Sequence, residues 1–504
     1  MEPPGEAAPS LAGTAVRGVA VTTASQLGRM LTQVVSVIIL ARLLTPTDYG
    51  LVAMVLSVIG VGELVRDLGL SPAAIRAECL DRALRDNLFW VNTGLGVLLA
   101  LVVAAASPLI ASAFGRDELV PITLALAPTF VLSGLMTQYR VDLTRRYAFG
   151  RLAAIDLSCS VLPLMIGIVA ASLGAAYWAL VLQQVVSGVL GVALLAWSCR
   201  WTPGRYDRSA SVMPFVRLGS SFLLGGLLGY VMRNADAVVV GRAFGADALG
   251  IYNRSVQLVR TPLTQVQAPF GSVTLPVLAA ARDDDERLLR AAARAQVAFT
   301  YPVLVGVAWI VAASEEVVRI TLGSAWTDAA PVMRFVAIAG GAGCLAYVVL
   351  WIFAARALAS RMNLFNVTSA VLVVAGILVG SRFGVEGVAA GIAAATVAGW
   401  PLALTVLGWR GYLRVAPLAW AGVRAAAVAA LGALAADLVL ATVPFDAALP
   451  RAGAALLTVL AVAALAALVT PVRRDYAEVT GMLRLLRGRG VKATADLTVE
   501  RPSD

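Results

Sequence analysis

The chain has 504 residues, 60% of them hydrophobic and 14% charged, with a mean hydropathy of +0.84; soluble domains are nearer 45–50% apolar and about 25% charged. One aqueous core could not hide that much apolar surface, so the composition calls for lipid as solvent. Basic residues outnumber acidic ones 40 to 30, a net charge of +10, but the excess falls in short bursts between apolar runs. That pattern excludes a nucleic-acid-binding face and makes anionic membrane lipids the expected neighbours.

The N-terminus, Met1 to Pro9, is acidic and Pro-rich, without the basic start of a signal peptide, so the first apolar run reads as a retained span. Fourteen candidate spans follow, at 16–40, 50–68, 88–113, 119–138, 152–172, 175–197, 214–240, 251–279, 296–318, 332–354, 364–381, 385–408, 419–441 and 452–470. Most approach the ~20 residues needed to cross hydrocarbon, and their continuous apolar character favours helices over barrel strands. With the N-terminus inside, alternate loops collect the arginines: Arg76, Arg82 and Arg85; Arg140, Arg145, Arg146 and Arg151; Arg200, Arg205 and Arg208; Arg282 to Arg294; Arg356 and Arg361; Arg410 and Arg414. The opposite loops are short and carry few. This bias predicts both termini in the cytoplasm of a bacterial inner-membrane protein. Residues 471–504 form a basic tail, either an amphipathic helix on the inner leaflet or a disordered segment that fixes orientation.

A weak repeat divides the chain. ARLLTPTDYG at 41–50 and GRAFGADALG at 241–250 are offset by 200 residues, with Arg42 and Gly50 opposite Arg242 and Gly250. Six spans separate them, so the halves would be parallel, related by an axis along the membrane normal. The plainer alternative is convergent use of small residues at a tight exoplasmic turn.

There are no histidines, and Cys79, Cys159, Cys199 and Cys344 lack metal-type spacing, which excludes a catalytic histidine and argues against a zinc site. Three of the cysteines border or lie within predicted spans and read as small apolar filler, and no cofactor is expected. The informative residues are ionisable groups inside apolar runs, where each must face a cavity, a partner charge or an interface. Arg29 lies midway along the first span. Ser25, Arg29 and Gln33, spaced i, i+4, i+8, form a polar stripe that either faces substrate or makes an interhelical contact. In the second span Glu63, Arg66 and Asp67 share a face, as a static ion pair or as an ion-coupling site. Asp156 is the lone carboxylate of the fifth span. The seventh carries Arg233, Asn234 and Asp236, and the eighth carries Arg254, Gln257, Arg260 and Gln267, with Pro262 and Pro269 as candidate kinks. Trp178, Trp197, Trp201 and Trp309 fall near span ends, as interfacial belts do. Arginines in a low-dielectric cavity suit phosphate or pyrophosphate, because the guanidinium fork matches phosphoryl oxygens. The expected substrate is therefore anionic.

ILARLLTPTDYGLVAM (39–54), RNADAVVVGRAFGADALGIYNRSVQLV (233–259) and QAPFGSVTLPVLAA (267–280) resemble the polysaccharide transporter or oligosaccharide flippase family, whose Wzx-like members serve lipopolysaccharide biosynthesis. It lies within the multidrug/oligosaccharidyl-lipid/polysaccharide exporter superfamily, and the likeness runs from about Val16 to about Thr470. The resemblance implies an all-α integral membrane protein of about 14 transmembrane helices. After a cytoplasmic segment (1–15) come two parallel six-helix lobes (16–200 and 201–410), two additional helices (411–470) and the tail (471–504). It implies alternating-access transfer of a polyprenyl-pyrophosphate-linked oligosaccharide from the inner to the outer leaflet, without catalysis. Arg29, Arg233, Arg254, Arg260, Asn234 and Gln33 are then candidate contacts to the anionic headgroup. Glu63, Asp67, Asp156 and Asp236 are candidates for coupling to H+ or Na+. Polysaccharide assembly proteins are candidate partners. A drug or cation exporter of the same fold is disfavoured by the arginine excess. A membrane glycan polymerase or ligase is disfavoured by the longest exoplasmic loop, about 13 residues.

Overall fold

The computed structural model describes residues 11–67, 69–77, 80–199, 201–443 and 447–478, with side chains at 11–25, 27, 218–228 and 231–233 outside that description. Cys79, Ser25, the Arg233 side chain and most of the basic tail therefore fall outside the described residues.

The described chain is helical: α1 Leu11–Leu43, α2 Pro46–Asp67, α3 Leu70–Arg76, α4 Arg82–Ala105, α5 Ser107–Phe114, α6 Leu119–Leu126, α7 Pro128–Arg145, α8 Phe149–Ser172 and α9 Trp178–Cys199. Then come α10 Met213–Ala280, α11 Asp285–Ala312, α12 Ser314–Thr321, α13 Ala329–Ala355, α14 Ala359–Gly380, α15 Gly384–Gly408, α16 Ala416–Thr442 and α17 Ala448–Ala466. Most of each predicted span is helical among the described residues, with 88–113, 119–138 and 296–318 each divided between two helices. Among the described residues, nine helical segments are long and apolar enough to cross a membrane, one of them joining α14 and α15. The chain is thus an all-α, multi-pass membrane protein.

Local chemistry explains several boundaries. Thr45 and Asp48 form a reciprocal cap at the start of α2: Asp48 Oδ2 accepts from Thr45 N at 2.9 Å and from its hydroxyl at 2.7 Å, while Asp48 N donates back to Thr45 Oγ1 at 3.3 Å. Asp81 caps α4 through Leu84 N, and Asp284 caps α11 through Arg287 N. The predicted seventh and eighth spans form one long element, α10, in which the backbone stays helical through Pro262 and Pro269. The break lies at Gly245, with φ +85° and ψ −173°, a conformation open to glycine and strained for other residues. Gly245 matches Thr45 across the 200-residue offset, so it stands in the second copy where the α1–α2 turn stands in the first.

By packing, the chain forms two compact units. One comprises the described residues up to Gly250 with Thr321–Ala325; the other comprises Ile251–Ile320 and the described residues from Trp326 onward. In the first unit α1 and α9 pack on α8, and α7 packs on α4 and α9. The α4–α7 approach needs glycine on both sides. A Cβ on Gly96 would meet the Phe130 carbonyl, and one on Gly134 the Asn92 carbonyl. Phe89, Tyr139, Leu195 and Trp201 fill one part of this core.

In the second unit α11 is sheathed by α13 and α16, and α17 packs on α16. The α14–α15 pair carries a G-x-x-x-G on each helix, Gly376/Gly380 and Gly387/Gly391, and the two helices touch backbone to backbone. Arg424 grips Asp475 bidentately, both bonds 2.8 Å, and the Tyr301 hydroxyl donates to Asp475 Oδ2 at 3.0 Å. Arg451 pairs with Glu316 at 2.6 Å, and Trp309 donates to the Ala452 carbonyl at 2.9 Å. Polar bonds therefore fix the α16–α17 hairpin and the residues after it onto α11 and α12.

Candidate functional site

The first unit brings together two residues that the sequence flagged for different roles. Arg29 on α1 donates from Nη1 to Asp156 Oδ2 on α8 at 3.3 Å. Arg140, near the end of α7, reaches the same carboxylate at 2.6 Å (Nη2 to Oδ1) and 3.5 Å (Nη1 to Oδ2). One carboxylate thus serves two guanidiniums on two neighbouring helices, leaving the trio with a net charge of +1. Asp156 is 17% exposed, while the side chains of Arg29 and Arg140 are 39% and 50% exposed. Each arginine has five N–H donors, so both retain donors for a further anion. α1 and α8 meet closely here: a Cβ on Gly28 would touch Leu157 at 3.2 Å. Sequence reasoning missed Arg140 because the apolar run ends at 138. The helix continues to Arg145, and the TQYRVDLTR stretch keeps its polar residues on a spanning element.

The other candidates sit apart from this cluster or in different bonds. Glu63 Oε2 accepts from Arg66 Nε at 2.8 Å, and Arg66, itself buried, donates from Nη1 to Thr137 Oγ1 at 3.0 Å. That arrangement ties α2 to α7. Asp67 accepts a hydrogen bond from the Ser71 hydroxyl. Gln33 is exposed, and the Thr32 hydroxyl, three residues on from Arg29, donates to the Gly28 carbonyl at 2.9 Å. Asn234 donates to the Tyr230 carbonyl at 2.9 Å, and Asp236 Oδ1 accepts from Ala237 N at 2.9 Å. In the second unit Arg254 Nη1 bonds Gln257 Oε1 at 2.5 Å, Arg260 is exposed, and Gln267 lies 3.5 Å from Cys344 Sγ. No group of three or more His, Cys, Asp or Glu side chains suited to a metal ion occurs among the described residues.

The repeat makes a reciprocal contact within the first unit. A Cβ on Gly50 would land on the Ala246 carbonyl oxygen, and one on Gly250 would land on the Pro46 carbonyl oxygen. Pro46 and Ala246 are themselves matched by the 200-residue offset, as are Thr47 and Asp247, whose side chains bond at 3.3 Å. The first turns of two equivalent helices therefore cross at their equivalent glycines. The Tyr230 hydroxyl extends the seam, donating to the Ser57 carbonyl at 3.2 Å over the space that Gly60 leaves open. Residues matched by the 200-residue offset thus meet one another across the two turns, as an internal duplication would have it and convergent turn chemistry would not require.

Comparison with known proteins gives the family and the fold. The family described as "Polysaccharide biosynthesis protein" matches residues 39–331. The chain is 27% identical over 339 residues to the teichuronic acid biosynthesis protein TuaB of Bacillus subtilis, covering 66% of this chain and 69% of TuaB. It is 24% identical over 374 residues to the lipopolysaccharide biosynthesis protein WzxC of Escherichia coli, covering 71% and 73%. The lipid II flippase MurJ, in an inward closed conformation, shares the fold with a TM-score of 0.67 at 12% identity, over 89% of this chain and 99% of MurJ. The chain belongs to the polysaccharide biosynthesis protein family, within the Wzx-like branch of the multidrug/oligosaccharidyl-lipid/polysaccharide exporter superfamily. It is a multi-pass membrane protein of that family.

Proposed function

We propose that this protein is a flippase that carries a polyprenyl-pyrophosphate-linked oligosaccharide, a polysaccharide repeat unit, from the inner to the outer leaflet. Family membership and the relatives named for teichuronic acid and lipopolysaccharide biosynthesis support a lipid-linked glycan as cargo. The observation that carries the anionic headgroup is the convergence of Arg29 and Arg140 on Asp156. A carboxylate held by the fork of Arg140 and one N–H of Arg29 occupies the place a phosphoryl oxygen pair would take, since both ligands offer two adjacent anionic oxygens to the same donors. The headgroup displaces Asp156, or Asp156 takes up a proton and releases both arginines to the pyrophosphate. Either route couples cargo binding to the charge of one carboxylate, which makes Asp156 the preferred site for H+ or Na+ coupling. Glu63, Asp67 and Asp236 remain alternatives for that role. Arg233, Arg254, Arg260, Asn234 and Gln33 complete the proposed path.

The proposed architecture has fourteen spans, both termini in the cytoplasm, lobes at 16–200 and 201–410 that alternate in access, and two additional helices at 411–470. Polysaccharide assembly proteins would receive the flipped unit. No covalent step is required; positioning and charge complementarity suffice. The test is binding of a short-chain polyprenyl-pyrophosphate oligosaccharide to the purified protein, with the uncharged alcohol-linked glycan as comparison. Arg29→Gln and Arg140→Gln are each expected to weaken pyrophosphate binding about tenfold or more, the worth of one charge-assisted hydrogen bond or two. Asp156→Asn, which leaves both cations unpaired, is expected to tighten it. Equal affinity for both headgroups, or no effect of either arginine, would remove the site.

A further inference from the structure

A second polar site lies on the first unit, on a different face of α8 from Asp156. Between the start of α8 and the end of α9 is a cavity of about 410 Å3, lined by Arg151, Ile155, Ser158, Leu194, Trp197 and Ser198 among others. Arg151, Ile155 and Ser158 recur at i, i+4 and i+7 on α8, and Leu194, Trp197 and Ser198 at i, i+3 and i+4 on α9, so each helix turns one face to the cavity. The four polar side chains here, Arg151, Ser158, Trp197 and Ser198, make no hydrogen bond or ion pair among the described residues. The arginines just before them are engaged: Arg140 with Asp156, Arg145 with the Ala74 and Ala77 carbonyls, and Arg146 with Asp142. Trp197 is 80% exposed, an indole placed where interfacial tryptophans lie in bilayers.

This end of α8 and α9 is the arginine-rich one. Under the orientation proposed above it lies at the inner leaflet. Arg151 and Trp197 lie exposed at the interfacial end, and the Ser158 hydroxyl, about two turns deeper, is costly without an acceptor. The lining has one cationic group and no carboxylate, so the ligand must bring negative charge and acceptor oxygens. Ser158 lies about 10 Å deeper along the helix than Arg151, at 1.5 Å per residue. With Ile155 and Leu194 beside it, that depth suits a ligand with a charged phosphate at one end and ester oxygens and an acyl chain below. The volume is at the small end of the 300–1,000 Å3 typical of ligand sites. It accommodates a phosphodiester and its glycerol.

The geometry points to a binding site for an anionic glycerophospholipid between α8 and α9, with its phosphate on Arg151, Trp197 and Ser198 and its glycerol esters near Ser158. The site is separate from the Arg29–Arg140 cluster and holds a resident lipid rather than cargo.

The experiment is native mass spectrometry of the full chain, delipidated and then offered phosphatidylglycerol, phosphatidylcholine, inorganic phosphate or polyprenyl pyrophosphate. The unaltered protein is expected to retain one phosphatidylglycerol in preference to phosphatidylcholine, and Arg151→Gln to reduce that retention about tenfold or more. Arg205→Gln, an exposed loop arginine, is expected to leave it unchanged, and free phosphate not to compete. Should Arg151→Gln fail to give a monodisperse protein, the Ser158→Ala/Ser198→Ala pair is read in its place, with a smaller loss expected. Undiminished retention in these variants, or equal retention of the zwitterionic lipid, overturns the proposal. Displacement of the bound lipid by polyprenyl pyrophosphate in protein with intact Arg29 and Arg140 also overturns it, assigning the cavity to cargo. Because the readout is lipid retention, it stands or falls independently of translocation.

Discussion

Alanine at Gly50 or Gly250 tests the reciprocal seam most sharply. At either position the added methyl would lie closer than 3.0 Å to a backbone carbonyl of the matched helix turn. No side-chain rotamer can relieve a clash with backbone, so the two turns must separate. In an unobstructed helix the same change stabilises by about 0.8–1.0 kcal/mol. Gly94 is such a position, since a Cβ there meets nothing within 4 Å. At the seam, overpacking of about 1–3 kcal/mol or more works against that gain. Gly94→Ala should therefore match or exceed the parent in stability, while Gly50→Ala and Gly250→Ala should each fall below Gly94→Ala by about 1–3 kcal/mol or more. The double variant should lose less than the sum, because one separation accommodates both methyls. Thermal unfolding in detergent gives the ranking. A short thiol cross-linker between Thr47→Cys and Asp247→Cys, in a background without the native cysteines, reports the seam itself and should react less once alanine is present. Seam variants as stable as Gly94→Ala, with undiminished cross-linking, would refute the crossing.

Other contacts give further tests. Asp142 is buried, accepts from Arg85 at 2.9 Å and forms an ion pair with Arg146 at 3.1 Å, so Asp142→Asn should destabilise by about 3–5 kcal/mol, read as a lowered unfolding midpoint. A double-mutant cycle on Arg424→Gln and Asp475→Asn should show coupling of about 1–3 kcal/mol, and additive losses would mean that the bidentate pair does not hold the chain after α17. Gly380→Leu should force α14 from α15 and lower stability by more than about 3 kcal/mol, whereas the open position Gly453→Leu should be tolerated.

The helical elements were legible in the sequence because a lipid-exposed span must be apolar nearly all round, and a run of that kind needs no tertiary partner to be seen. The 200-residue repeat was legible as similarity, but its reciprocity was not, since contact between Gly50 and Ala246 depends on how helices cross. Arg29 and Asp156 were each singled out as an ionisable group inside a span. Their pairing was not readable, because 127 residues separate them and periodicity relates only neighbours on one helix. Arg140 was assigned to a loop because apolar character ends before the helix does. Local pairs fared differently: Glu63 and Arg66, three residues apart, do bond as their spacing suggests, while the bond from Arg66 to Thr137 needed the fold. The break at Gly245 was masked by the prolines that follow it, which the helix absorbs.

The central claim is movement of an anionic lipid-linked glycan, and leaflet translocation in proteoliposomes measures it directly. A tagged polyprenyl-pyrophosphate oligosaccharide is placed in one leaflet, and its accessibility is followed from each side with ion gradients imposed in both directions. The account predicts protein-dependent transfer that Arg29→Gln and Arg140→Gln each slow at least about tenfold, and that Asp156→Asn uncouples from the imposed gradient. Transfer by folded, correctly oriented protein that ignores all three substitutions, or the absence of transfer for every pyrophosphate-linked headgroup offered, would contradict it.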